Sequence, residues 1–243
     1  MDKDFRARLR KAINSAPDMR VPVSPSGYVP PALGIAGARL VGYFELGTHE
    51  EEFEGRTRDR EKVDLVFELS GPNHEPRKLD DGTLIPHRIT VQETLSLEPL
   101  SNFFRLFADM NRAHGDTCRH MVELLGSAFL VEVFHRNSKD GKKVYANLKG
   151  SNGYKVYGTT ARDPISGKEI VVEVPGPFTE PRYFIWETAD QEMWDSIHIP
   201  GEWEACKNGK GEIISPARSK NIFQDKIRKA KNWKDHPLAA IVG

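Results

Sequence analysis

Two cysteines, Cys118 and Cys206, are all that 243 residues offer for disulfide chemistry. They lie far apart and form no C-x-x-C pair, so reduced thiols are the default. No apolar run approaches the roughly 18 residues needed to span a bilayer. The opening stretch MDKDFRARLRKAINSAPDMR lacks the apolar centre of a secretory signal. Net charge is missing too, with 35 Lys+Arg against 35 Asp+Glu. Overall charge therefore names no partner, and only its distribution is informative. Enzyme signatures are scarce. No G-x-x-x-x-G-K-[ST] loop is present, which argues against an ATP-driven recombinase. No G-x-S-x-G elbow occurs either. GSNGYKVYG (150–158) lacks the helix that a phosphate-cradling loop feeds. His114, Cys118 and His120 have ligand chemistry, but zinc takes four ligands in paired spacings, and no second pair follows. The expectation is a soluble, cytoplasmic, non-enzymatic protein without metal or cofactor.

What is present reads as a strand-rich body between two extensions. Residues 3–14 suit a short basic helix with Phe5, Leu9 and Ile13 on one face. Pro17, Pro22, Pro25, Pro30 and Pro31 make the rest of 1–37 an extended linker. The body, 38–204, opens with a strand at Ala38–Leu46. Simple alternation puts Arg39, Val41, Tyr43 and Glu45 on one side, although Gly42 signals a bulge. A polar loop, Gly47–Arg60, follows, with an acidic half (Glu50–Glu54) and a basic half. The second strand is Lys62–Ser70 and the third Ile85–Leu95. Leu100, Phe103, Phe104, Phe107 and Met110 then recur at helical spacing. A second short helix is expected at Thr117–Leu125, before Gly126. The stretch 128–157 reads as two alternating strands about a turn at Asn137–Gly141, followed by a Gly-bounded basic-aromatic tail. Later come weaker strands at Ile170–Val174 and Tyr183–Trp186 and a helix at Thr188–Ser196. Residues 205–243 form a basic tail, with nine Lys and Arg against three acids and a basic helix over Asn221–Trp233.

The order strand, strand, strand, helix, strand, strand is that of an OB-like five-stranded antiparallel barrel, in which helices lie between strands three and four. The fold class expected is thus β-rich α+β, with N- and C-terminal extensions. Such barrels bind oligonucleotides across strands two and three, between the loops joining strands one–two and four–five. Here those loops are Gly47–Arg60 and Asn137–Gly141. Single-strand binding needs aromatic faces for bases and cations for phosphates. Tyr43, Tyr145, Tyr154 and Tyr157 are the stacking candidates. Tyr145 stands out because Lys143 and Lys149 share its strand face. Arg56, Arg58, Arg60 and Lys62 form one phosphate-binding cluster. Arg136, Lys139, Lys142, Lys143 and Lys149 form another, supplemented by Arg39 and Arg88.

Several segments also resemble a family. ARLVGYFELGT, KVDLVFELSG, ITVQETLSLEPLSNFFRLFADMN, LLGSAFLVEVFH, KKVYANLKG and WDSIHIPGEWEAC are similar in pattern to phage-encoded single-stranded-DNA-binding proteins, over roughly 37–205. The resemblance implies an OB-like body that binds single-stranded DNA in phage replication, recombination or transcription. Some members act as cofactors of the phage RNA polymerase, so a polymerase-binding adaptor is the alternative. Replication proteins or polymerase are implied partners, with cooperative assembly or homo-oligomers on DNA. A metal-dependent nuclease is the further alternative, although no repeated carboxylate pattern marks one. Many single-strand binders end in an acidic tail that recruits partners, whereas this chain ends basic.

Overall fold

The computed structural model describes residues 29–79, 81–138, 140–141, 143–207 and 211–242, with backbone only at Phe53. The expected 3–14 helix, most of the Pro-rich linker, Lys139 and Lys142 lie outside the described residues.

The chain is β-rich α+β. Its main strands are β1 (Gly34–Phe53), β2 (Arg56–Ser70), β3 (His87–Thr94), β4 (Ala128–Asn137), β5 (Val144–Asn147), β6 (Val156–Tyr157) and β7 (Arg182–Phe184). The helices are α1 (Asn102–Ala113), α2 (Gln191–Ser196), α3 (Ile222–Arg228) and α4 (Ala239–Val242). The main sheet runs β6–β4–β1–β2–β3, with β5 also on β4 and β7 parallel to β1. The expected second helix reduces to a 3-10 turn, Met121–Leu124, because His120 and Glu123 cap so short a segment reciprocally. No barrel closes among the described residues. β3 and β5 share no ladder. Instead Glu93 of β3 accepts from Lys149 Nζ at 2.8 Å and from the Tyr154 hydroxyl at 2.7 Å.

Two hydrophobic clusters sandwich the sheet. The inner one takes Val63, Leu65, Phe67 and Leu69 from β2, Ile89 and Val91 from β3, and Phe129, Val131 and Val133 from β4. These are alternate residues, as half-buried strands require. Helix α1 closes this side with Phe103, Leu106 and Met110, and Ser101 Oγ caps it by accepting from Phe104 N. The outer cluster joins Val41, Phe44 and Leu46 of β1 and Val66 of β2 to Phe184, Trp194, Ile197, Phe223, Ile227, Trp233 and Leu238. The expected basic tail is therefore folded, from Ile222 onward, against the sheet. Its cations are largely engaged: Lys226 with Asp64, Lys231 with Glu50 and Asp59, and Arg228 over the Trp194 ring.

One strand feeds both clusters because it slips. The register of β1 against β2 shifts between Leu40 and Gly42, and again between Glu45 and Gly47. Each extra residue transfers the following side chains to the other face. Gly42 is required there, since a Cβ would sit 2.6 Å from the Phe44 ring.

Beyond the second slip, the segment expected as a loop is a two-stranded arm. β1 and β2 stay paired from Gly47↔Lys62 to Phe53↔Arg56. Glu54 and Gly55 at the tip have φ of 52° and 72°, the two positive values of a type I′ turn. The charged composition hid the strands. Glu51 of β1 also pairs with Lys62 of β2, an ion pair between the two strands.

Candidate nucleic-acid interface

The candidate interface lies on the outer face of the sheet. Asp64, Val66, Glu68 and Ser70 of β2 point this way, as do their β3 neighbours Gln92, Thr90 and Arg88. The strap Val174–Thr179 crosses above them. Arg39 ties it down, its guanidinium donating to the carbonyls of Pro175, Val174 and Gly126 at 2.6–2.7 Å. Glu68 holds the other end, accepting from Phe178 N, Thr179 N and Thr179 Oγ1. Two clefts of about 460 and 540 Å³ share Phe178 of the strap in their lining.

The larger cleft has an apolar floor of Val41, Phe44, Val66 and Phe223. Two aromatics line it that remain open to solvent, Phe178 (56 % exposed) and Trp203 (40 %). Arg88, Arg182 and Lys220 line it beside a single carboxylate, Glu180. Arg218 lies over the Trp203 ring, 4.9 Å from its centroid. A short ribbon, Glu202–Trp203 with Arg218–Ser219, presents that pair. Exposed rings among cations are what stacked bases and their phosphates need.

The register extends this face sideways. Tyr157 pairs with Leu130, Leu130 with Gly37, and Gly37 with Ser70, a row running from β6 to β2. Farther along β4, Arg136 lies directly across from Tyr145. Tyr145 and Tyr157 are each 47 % exposed. Arg136 and Lys143 are exposed beside them. Arg88 is exposed as well and lies 4.0 Å from Glu68.

Other candidates are committed elsewhere. Tyr43 is fully buried, because the slip at Val41 turns it onto the inner face. Its hydroxyl donates to Glu45, and burial, followed by the Glu45 charge, pushes its pKa well up. No base can reach that ring. Tyr154 is half-buried and donates to Glu93, its pKa raised first by burial and then by that bond. Lys149 pairs with the same Glu93. Arg39 is spent on the strap. Lys62 is buried, bonded to Thr94 and paired with Glu51 at 2.8 Å. Arg56, Arg58 and Arg60 are exposed on the arm, away from the clefts' lining.

Sequence reading missed Phe178, Trp203 and Arg182, and reached Lys220 only as one cation of the basic tail. They lie on short ribbons and irregular segments, where no periodicity exists to read. The dense turn residues of PGPFTEP (175–181) were the available signal for a strap. Among the described residues, no group of three or more His, Cys, Asp or Glu side chains could hold a metal, and no helix is long and apolar enough to cross a membrane. No family model, no curated protein and no solved structure matches this chain.

Proposed function

We propose that this protein binds single-stranded DNA along the outer face of its sheet. The observation that carries the reading is the larger cleft, where exposed Phe178 and Trp203 stand among Arg88, Arg182 and Lys220. Bases stack on the rings with little regard to sequence, and the cations replace counterions along the backbone. Tyr157, Tyr145 and Arg136 extend the track toward the β4 edge. The strand order supports an OB-like sheet opened between its third and fifth strands, with α1 between the third and fourth. In such a sheet the outer face of strands two and three is the oligonucleotide side. The resemblance in sequence adds a phage role in replication, recombination or transcription.

Fluorescence anisotropy with labelled oligo-dT tests the reading. Wild type binds at low salt, prefers single strands to duplex, and loses affinity steeply as salt rises. Trp203→Ala weakens binding about 5- to 150-fold, equivalent to about 1–3 kcal/mol for one stacked base. Absence of binding at low salt, or full affinity in a Phe178→Ala/Trp203→Ala protein, overturns it.

A further inference from the structure

The arm segregates its charges by face. Directly opposed residues in an antiparallel pair share a side, and successive residues alternate. The register therefore gathers Arg56, Arg58 and Arg60 on one side and Glu50, Glu52, Asp59 and Glu61 on the other. On the basic side Glu51 is taken by Lys62. Arg56, Arg58 and Arg60 make no ion pair among the described residues, and all three are exposed. On the acidic side Lys231 engages Glu50 and Asp59, leaving Glu52 nearer the tip. Among the described residues, neither edge of the arm beyond Lys62 pairs with another strand, although Thr48 and Glu61 at its base accept from Lys231 N and Leu95 N.

We propose that the arm docks on the arm of a second copy of this chain, basic face to acidic face. Charge complementarity selects this occupant. A polyanion would engage the arginines but face four carboxylates on the ribbon's back. An acidic protein surface would likewise use one face only. A second copy satisfies both. Because unlike faces meet, the contact is head-to-tail, and repeated copies build an open array rather than a closed two-fold dimer. The arms project roughly 20 Å at strand rise, so neighbours are joined by projecting ribbons. The inference is independent of what the clefts bind. If they bind single-stranded DNA, the array makes that binding cooperative.

Sedimentation of the full chain, freed of nucleic acid, tests it through two charge reversals. R56E/R58E/R60E makes both faces acidic, and E52K/E61K makes both basic while sparing the partners of Lys231. At low salt the wild type shows an average mass that climbs with concentration and returns to the monomer value at high salt. Each variant alone stays monomeric, and an equimolar mixture regains association. A wild type that remains monomeric at low salt overturns the proposal, as do variants that associate like wild type or a mixture that stays monomeric. A monomeric wild type whose R56E/R58E/R60E form loses affinity for a short oligo-dT would assign the basic face to nucleic acid instead. Should the triple variant lose its far-UV circular dichroism spectrum, R58E against E52K carries the same comparison. Loss of oligo-dT binding with intact association would instead sink only the reading of the clefts.

Discussion

Phe223 lies flat against Phe44, their ring centroids 3.8 Å apart at an interplanar angle of 23°. Residues far apart in the chain thus share one stacking contact, and it clamps α3 to the sheet. Both rings are nearly fully buried. Phe223→Ala removes the clamp and leaves a cavity, at a cost of about 3–5 kcal/mol. Urea denaturation should show the midpoint fall accordingly, and unchanged stability would disprove the clamp.

Tyr43 separates core from interface. Tyr43→Phe keeps the ring and deletes the hydroxyl that serves Glu45. A loss of about 1–2 kcal/mol of stability is expected, with oligo-dT affinity unchanged. Tyr145→Ala should do the reverse, lowering affinity with little effect on stability. Exchange of these two outcomes would return Tyr43 to the site.

Glu50 and Asp59 face each other across the arm, and Lys231 donates to both, at 3.2 and 2.6 Å. The bond to Asp59, then that to Glu50, holds the Lys231 pKa above its ordinary value. Lys231→Ala leaves two carboxylates opposed without a cation. Amide exchange in 48–61 should accelerate at neutral pH. At a pH where both carboxylates are protonated, the difference from wild type should vanish.

His87 gives stability a pH dependence of known sign. Burial lowers its pKa below 6.5, helped by the nearby His74 and Arg77. On acidification the unfolded chain therefore takes up this proton first. Stability from His87 is complete above pH 6.5 and declines as the pH falls from there through the folded pKa. The urea midpoint should be lower at pH 5.5 than at 7.5, and less so in His87→Gln. An equal drop in both proteins would rule out this residue as the source.

Gly47 has φ +76°, and a Cβ there would come within 2.4 Å of the Trp186 ring and 2.8 Å of Asn232 Oδ1. Gly47→Ala must move the indole that packs against Trp233 and His236. Backbone strain alone accounts for about 1–3 kcal/mol, and the clash adds to it. A lowered melting temperature with disturbed near-UV tryptophan dichroism is the expected signature.

The inner half of the fold was legible because it obeys two periods. Val63, Leu65, Phe67 and Leu69 alternate and are buried. Of the expected helical stripe, Phe103 and Met110 are buried, Phe104 and Phe107 are half-buried, and Leu100 is exposed ahead of the helix, with Leu106 completing the buried face. The outer half was not. Alternation from Arg39 puts Tyr43 outside, and a slip of one residue at Val41 reverses it. Gly42 announced a bulge but could not fix its position. The arm read as a loop because composition speaks of solvent exposure, not of hydrogen-bonded pairing. Of the candidate interface, Arg88, Arg136, Lys143 and Tyr145 could be named from the strands and their turn, and Tyr157 only from its proximity to them. Trp203 and Phe178 could not, because segments distant in sequence bring them to the sheet.

The two slips in β1 also set a timetable for biosynthesis. Val41, Phe44 and Leu46 are made early, yet their cover comes from Phe184 and from residues 222–242. During translation the inner layer can assemble once β4 is complete, while these side chains still face water. This face is therefore the last of the two to close. A nascent chain halted before residue 222 would expose a sticky apolar patch, a ready substrate for chaperones and quality control.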